Sequence, residues 1–144
     1  MSTLVFVYGT LKEGFPNFGR NVGRRVGGVV RTRVPYPLYV VQLPGEDRAP
    51  WLVDSPGQGH PVLGQLFEVD AADLAAMDRF EEVGLPTGYQ RAEVVVEAVD
   101  APHAVLHAQA YLKRPDQCAA AQSMEGPFAE YTLALAVGYR LATT

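Results

Sequence analysis

Apolar residues run unbroken through Val5, Phe6 and Val7, and the run is cut at Gly9, which lies between Tyr8 and Thr10. Three β-formers with no charge among them predict a strand buried on both faces. Past it, the backbone N–H groups of Gly9, Thr10 and Leu11 are expected to lack strand partners. Free donors in a row can cradle a carboxylate or an oxyanion. A strand followed by an ordinary turn explains the same string, and the segment alone favours that plainer reading.

The pattern further along predicts an α+β chain. Residues 12–17 are a polar loop broken by Gly14 and Pro16. Pro35 and Pro37 lead in extended form to a strand at 38–41, and a short strand is expected at 50–53. Residues 62–69 read as another strand, in which Gly64 marks a bulge or a close backbone approach. The clearest helix spans 70 to about 82, with Asp70 as N-cap and Gly84 and Pro86 stopping it. Residues 89–99 alternate as a strand does, Pro102 breaks the run, and 104–112 form a second strand, so the two predict an antiparallel hairpin. A short helix at 117–124 and a turn at Glu125, Gly126 and Pro127 follow, while 128–141 fits helix and strand about equally. Nothing repeats, and residues 1–144 read as one compact domain.

One residue breaks the helix pattern. At about 3.6 residues per turn, Leu74, Met77 and Phe80 share a side, and Glu81 falls between Leu74 and Met77. Arg79 and Ala76 lie opposite. A buried carboxylate is costly and holds its proton more tightly, and a place in the last helical turn acts in the same direction. That moves a glutamate toward general acid–base work at neutral pH. If the helix ends one residue earlier, Glu81 is solvated instead, and periodicity alone does not decide.

Composition adds mainly exclusions. The 144 residues carry a net charge of −4, with 48% hydrophobic and 19% charged residues, which fits a soluble globular domain and argues against a nucleic-acid or membrane-surface binder. Lys12, Arg20, Arg24, Arg25, Arg31 and Arg33 make up half of the 12 basic residues; a phosphate patch is one reading, and a solvated surface balanced by acids the favoured one. Cys118 has no disulfide partner, and without a signal-type or membrane-length apolar run a cytoplasmic location is expected. His103 and His107 have a helical metal-pair spacing but flank a strand, so no metal site is expected. Tyr89 and Arg91, just after the helix, either line a pocket or merely start a strand, and Tyr131 is open in the same way.

Three separated strings, Val5 to Lys12, Asp78 to Glu81, and Tyr89 to Arg91, resemble the gamma-glutamylcyclotransferase-like superfamily. Gly14-x-Pro16-Asn17, Pro35 to Leu38, Pro50 to Leu52, Pro56-Gly57-x-Gly59 with Gly64, and Glu125 to Pro127 make the likeness closest to its gamma-glutamylamine cyclotransferases. The resemblance implies a small, barrel-like mixed sheet with a few flanking helices and a pocket where the first strand ends. It implies release of a free amine and 5-oxoproline from a γ-glutamyl amine, without cofactor, by attack of the substrate's own α-amino nitrogen. Glu81 would be the catalytic acid and base, Tyr8, Gly9, Thr10 and Leu11 the substrate-holding loop, and Tyr89 and Tyr131 pocket walls. The implied partner is a small γ-glutamyl molecule, with the protein a monomer or homodimer. Turnover of γ-glutamyl amino acids or glutathione, or a binding domain that has lost turnover, are the alternatives. Two departures stand out: the seven residues between Glu81 and Tyr89, and a tail after Tyr131 that would cover the pocket or build a dimer contact.

Overall fold

The opening apolar run is β1 (Ser2–Val7), and in this computed structural model it is the strand on which a barrel closes. Residues 2–141 are described. The remaining elements are β2 (Arg24–Thr32), β3 (Leu38–Leu43), β4 (Glu46–Leu52), β5 (Leu63–Asp70), α1 (Ala71–Phe80), β6 (Gln90–Ala98), β7 (Ala101–Leu112), β8 (Ser123–Phe128), α2 (Leu133–Ala136) and β9 (Arg140–Leu141). The barrel runs β1-β5-β2-β6-β7, antiparallel throughout except where β7 meets β1 in parallel. A second sheet, β8-β3-β4-β9, stands beside it, and the N–H of Lys113, just past β7, donates to Leu52 at the end of β4 over 2.8 Å.

Burial explains why β1 carries no polar alternation. Phe6 and Tyr8 pack inside the barrel with Leu66, Val94, Val96 and Leu112. Val5 and Val7 point the other way, into a cluster with Phe67, Val69 and Met77 of α1. The helix starts as expected, with Asp70 Oδ1 accepting the N–H of Asp73 over 2.8 Å. It ends at Phe80, earlier than the expected boundary near 82. Glu82 (φ 57) takes the left-handed conformation; its N–H donates to Arg79 O (3.1 Å) and that of Val83 to Asp78 O (2.9 Å). This C-terminal cap usually carries glycine.

The β6–β7 hairpin forms as expected, although Pro102 lies inside β7 rather than between the strands. Other segments differ. β2 is a strand that the arginines and paired glycines obscure, and its register shifts between Val26 and Val30. Residues 117–124 hold the end of a short 3-10 segment (Pro115–Ala120) and the start of β8, and Glu125, Gly126 and Pro127 lie within β8 instead of forming a turn. The tail supplies one short helix and one short strand. Arg24 pairs with Glu68, Arg25 with Glu13, and Arg31 and Arg33 with Glu97, so these arginines are a surface balanced by acids. Two of the six differ: Arg20 stacks over the Phe80 ring, 4.6 Å from its centroid, and Lys12 is buried, its Nζ donating to Tyr131 O over 2.6 Å. No helix among the described residues is long and apolar enough to cross a membrane.

Gly64 marks a close approach. A Cβ there would lie 2.5 Å from Val7 O and 2.6 Å from the Phe6 ring. Gly64→Ala is expected to cost about 1–3 kcal/mol by overpacking the β1–β5 contact. Urea unfolding should show a lower midpoint at unchanged slope; an unmoved midpoint would mean that β1 yields there.

Candidate active site

Just past β1, where the chain leaves the barrel, Gly9 O accepts the N–H of Lys12 (3.1 Å) and Thr10 O that of Asn17 (2.8 Å). The carbonyls of this turn are used, whereas among the described residues the N–H groups of Gly9, Thr10 and Leu11 have no acceptor. Gly9 is required by contact and not by a left-handed turn, since a Cβ there would fall 2.5 Å from Pro50 Cγ.

Tyr8, Gly9, Thr10 and Leu11 line a cavity, and Glu81 lines it too. As the residue that caps α1 (φ −81, ψ 0), Glu81 keeps the direction set by the helix, and the left-handed Glu82 turns the chain away behind it. The helix therefore does end early, yet Glu81 faces the cavity, half-buried, instead of open solvent. Protein surrounds its carboxyl on the other sides, and burial pushes its pKa up to about 8. The like charge of Glu46 adds to this, and Lys113 acts in the opposite direction.

The remaining walls come from separate elements. Tyr8 donates its hydroxyl to Tyr111 O over 2.6 Å, and Tyr111 donates to Asp78 Oδ1 over 2.7 Å. Tyr89 donates to Pro50 O (2.9 Å), with the ammonium of Lys113 4.2 Å from its ring centroid. Lys113 Nζ also donates to Thr87 O over 2.7 Å, and desolvation lowers its pKa. Glu46, at the start of β4, has its pKa raised, first of all by burial. The cavity volume is about 130 Å³. With a water needing about 10–15 Å³ on that measure, there is room for on the order of ten non-hydrogen atoms, the size of a glutamyl group with its leaving nitrogen.

Tyr8, Gly9, Thr10, Leu11, Glu81 and Tyr89 thus surround one cavity. Tyr131 does not join them: it is wholly buried against Phe15, with its hydroxyl donating to Arg48 O over 2.8 Å. Sequence reasoning missed Glu46, Lys113, Asn17 and Tyr139, which also line the cavity. Only Asn17 lay within stretches already singled out, the polar loop 12–17 and Gly14-x-Pro16-Asn17, though with no site role assigned to it; no local pattern flags the others. The tail covers the cavity on one side through Tyr139 and Leu141.

The Glu81 carboxyl ionises near 4.5 when unfolded and near 8 in the fold, so the fold binds an extra proton between those values. The stability this contributes is present at low pH and lost as pH rises through about 8. Glu81→Gln removes that titration. It should melt above the wild type at about pH 9, by on the order of 1–2 kcal/mol once solvent in the cavity is allowed for, with the gap closing toward about pH 5. Equal melting at both pH values would remove the pKa shift.

Comparison with known proteins agrees with this architecture. A family model described as gamma-glutamyl cyclotransferase, AIG2-like, matches residues 5–130. Gamma-glutamylaminecyclotransferase B of Danio rerio is 41% identical over 99 residues, covering 65% of this chain and 49% of its own length. Gamma-glutamylaminecyclotransferase of Bos taurus is 41% identical over 105 residues, covering 68% of this chain and 60% of its own. The chain thus spans about half to three fifths of the length of these relatives. The crystal structure of an AIG2-like protein from Mus musculus superposes with a TM-score of 0.74 at 29% identity, covering 99% of this chain and 97% of that one. On the match across 5–130 and the shared fold, the chain belongs to the gamma-glutamyl cyclotransferase, AIG2-like family.

Proposed function

We propose that this protein is a gamma-glutamylamine cyclotransferase, with Glu81 moving protons and the turn from Tyr8 to Leu11 holding the substrate. The observation that carries the reading is one glutamyl-sized cavity lined both by Glu81, whose pKa burial pushes up to about 8, and by a turn whose three backbone N–H groups have no acceptor among the described residues. Relatives named gamma-glutamylaminecyclotransferase support the substrate class.

In this reading the N–H groups of Gly9, Thr10 and Leu11 take the α-carboxylate of the glutamyl group, folding the substrate so that its own nitrogen reaches its γ-carbonyl. Ionised Glu81 removes a proton from the α-ammonium. The freed amine attacks the γ-carbonyl carbon, a C–N bond forms, and a tetrahedral adduct results. Protonated Glu81 gives its proton to the leaving nitrogen, the old C–N bond breaks, and the carbonyl reforms in 5-oxoproline. Glu81, ionised again, takes the second proton from the new ring nitrogen and passes it to the released amine, so both protons lost by the α-ammonium end on the nitrogen that departs as an ammonium ion. The reaction balances without a second substrate.

Incubation with γ-glutamyl-ε-lysine should yield 5-oxoproline and lysine, and Glu81→Gln should lower kcat by about 10²–10⁴-fold with the fold kept. No product from any γ-glutamyl amine at high enzyme concentration would overturn the reading, while preference for γ-glutamyl amino acids in the same panel would change the substrate but not the chemistry. Since Glu81 must be ionised for the first step, kcat/KM should rise roughly tenfold per pH unit until about 8 and then level. Lys113→Met removes the cation that opposes the shift and should move that limb upward. A flat profile across the neutral range would take Glu81 out of the first proton transfer.

A further inference from the structure

A chain of hydrogen bonds runs from the substrate-holding turn to the tail. Asn17 Nδ2 donates one hydrogen to Thr10 Oγ1 over 3.0 Å and the other to the Tyr139 hydroxyl oxygen over 2.9 Å. Tyr139 passes its own proton on to Glu46 Oε2 over 3.1 Å. Tyr139 lies beyond residue 130, where the family match ends.

We propose that Tyr139 is a positioning residue: through Asn17 it fixes Thr10 so that the threonine hydroxyl becomes a further donor to the substrate's carboxylate. This rests on the cyclotransferase reading above. The direction of every bond follows from chemistry. An amide nitrogen only donates, so Thr10 Oγ1 and the Tyr139 oxygen must both accept. The phenol proton is then left for Glu46, and the Thr10 proton is left without an acceptor among the described residues. Thr10 is only 9% exposed and lines the cavity, so that free O–H lies beside the three free N–H groups.

The tail does not depend on this hydroxyl for its place. Asp47 and Glu46 pair with Arg140 and Leu141 in the sheet, and Arg140 forms an ion pair with Asp47 over 3.1 Å. The turn likewise keeps its backbone bond from Asn17 N–H to Thr10 O. Loss of the hydroxyl therefore frees the Asn17 and Thr10 side chains while the backbone stays where it is. That predicts weaker substrate binding and not slower chemistry.

The test measures kcat and KM on γ-glutamyl-ε-lysine, and the affinity for 5-oxoproline by calorimetry, for the wild type, Tyr139→Phe, Asn17→Ala and the double variant, with thermal melts to confirm folding. Tyr139→Phe should raise KM and the 5-oxoproline Kd about fivefold, the worth of one neutral hydrogen bond, with kcat within about twofold. Asn17→Ala should do at least as much, and the double variant no more than Asn17→Ala alone, since the residues act in series. A Tyr139→Phe protein with wild-type KM and Kd, or one that loses kcat at constant KM, overturns the proposal. Fully additive effects in the double variant do the same. A wild type that neither converts the substrate nor binds 5-oxoproline sinks the cyclotransferase reading itself, and this inference with it.

Discussion

The barrel closes through a parallel contact between β1 and β7 in which Val5 faces Gln109, whereas β1 pairs with β5 over its whole length. Beyond Val7 the chain turns away. The gap between the two strands is bridged by a side chain, as the Tyr8 hydroxyl reaches Tyr111 O over 2.6 Å. A strand that leaves its sheet leaves donors behind, and buried donors must find partners or wait for a ligand. The unoccupied N–H groups of Gly9, Thr10 and Leu11 follow from that departure, and so does the position of the cavity.

Another part of the cavity lining is governed by charge. Glu81, Glu46 and Lys113 reach the cavity from the end of α1, the start of β4 and just past β7; Glu46 and Lys113 both act on Glu81, and the two glutamates oppose the lowering of the Lys113 pKa by burial. Burial first, and then the charge of Glu46, favour the protonated form of Glu81, and Lys113 restrains the shift. The left-handed Glu82 adds backbone strain of the kind that surrounding structure must hold in place, on the order of 1–2 kcal/mol. These features oppose stability and gather around one carboxyl, the pattern expected where a fold trades stability for a reactive group.

How far the sequence revealed this depends on the range of the interaction. Val5 to Val7, the Asp70 cap and the apolar stripe around Met77 are local patterns, and all were legible. Glu81 was legible as a carboxylate on an apolar face, because helical spacing carries direction. β2 was hidden because Gly27 and Gly28, with three arginines and three valines around them, mask the alternation where its register shifts. β8 was hidden because Gly126 and Pro127 signal a turn in any local reading. Glu46, Lys113 and Tyr139 sit at element ends far apart in the chain, and topology alone brings them together. Tyr131 shows the converse: an aromatic residue near the end looked like a wall, and long-range packing made it core.

The central claim is that Glu81 holds its proton near neutral pH beside an unfilled row of donors. Carbon-detected NMR titration of the Glu81 side-chain carboxyl tests this most directly. The expected midpoint is about 8, with the carboxyl carbon unmoved through the range where ordinary glutamates titrate. A midpoint near the ordinary 4.5 would contradict it and leave the cavity without its proton carrier.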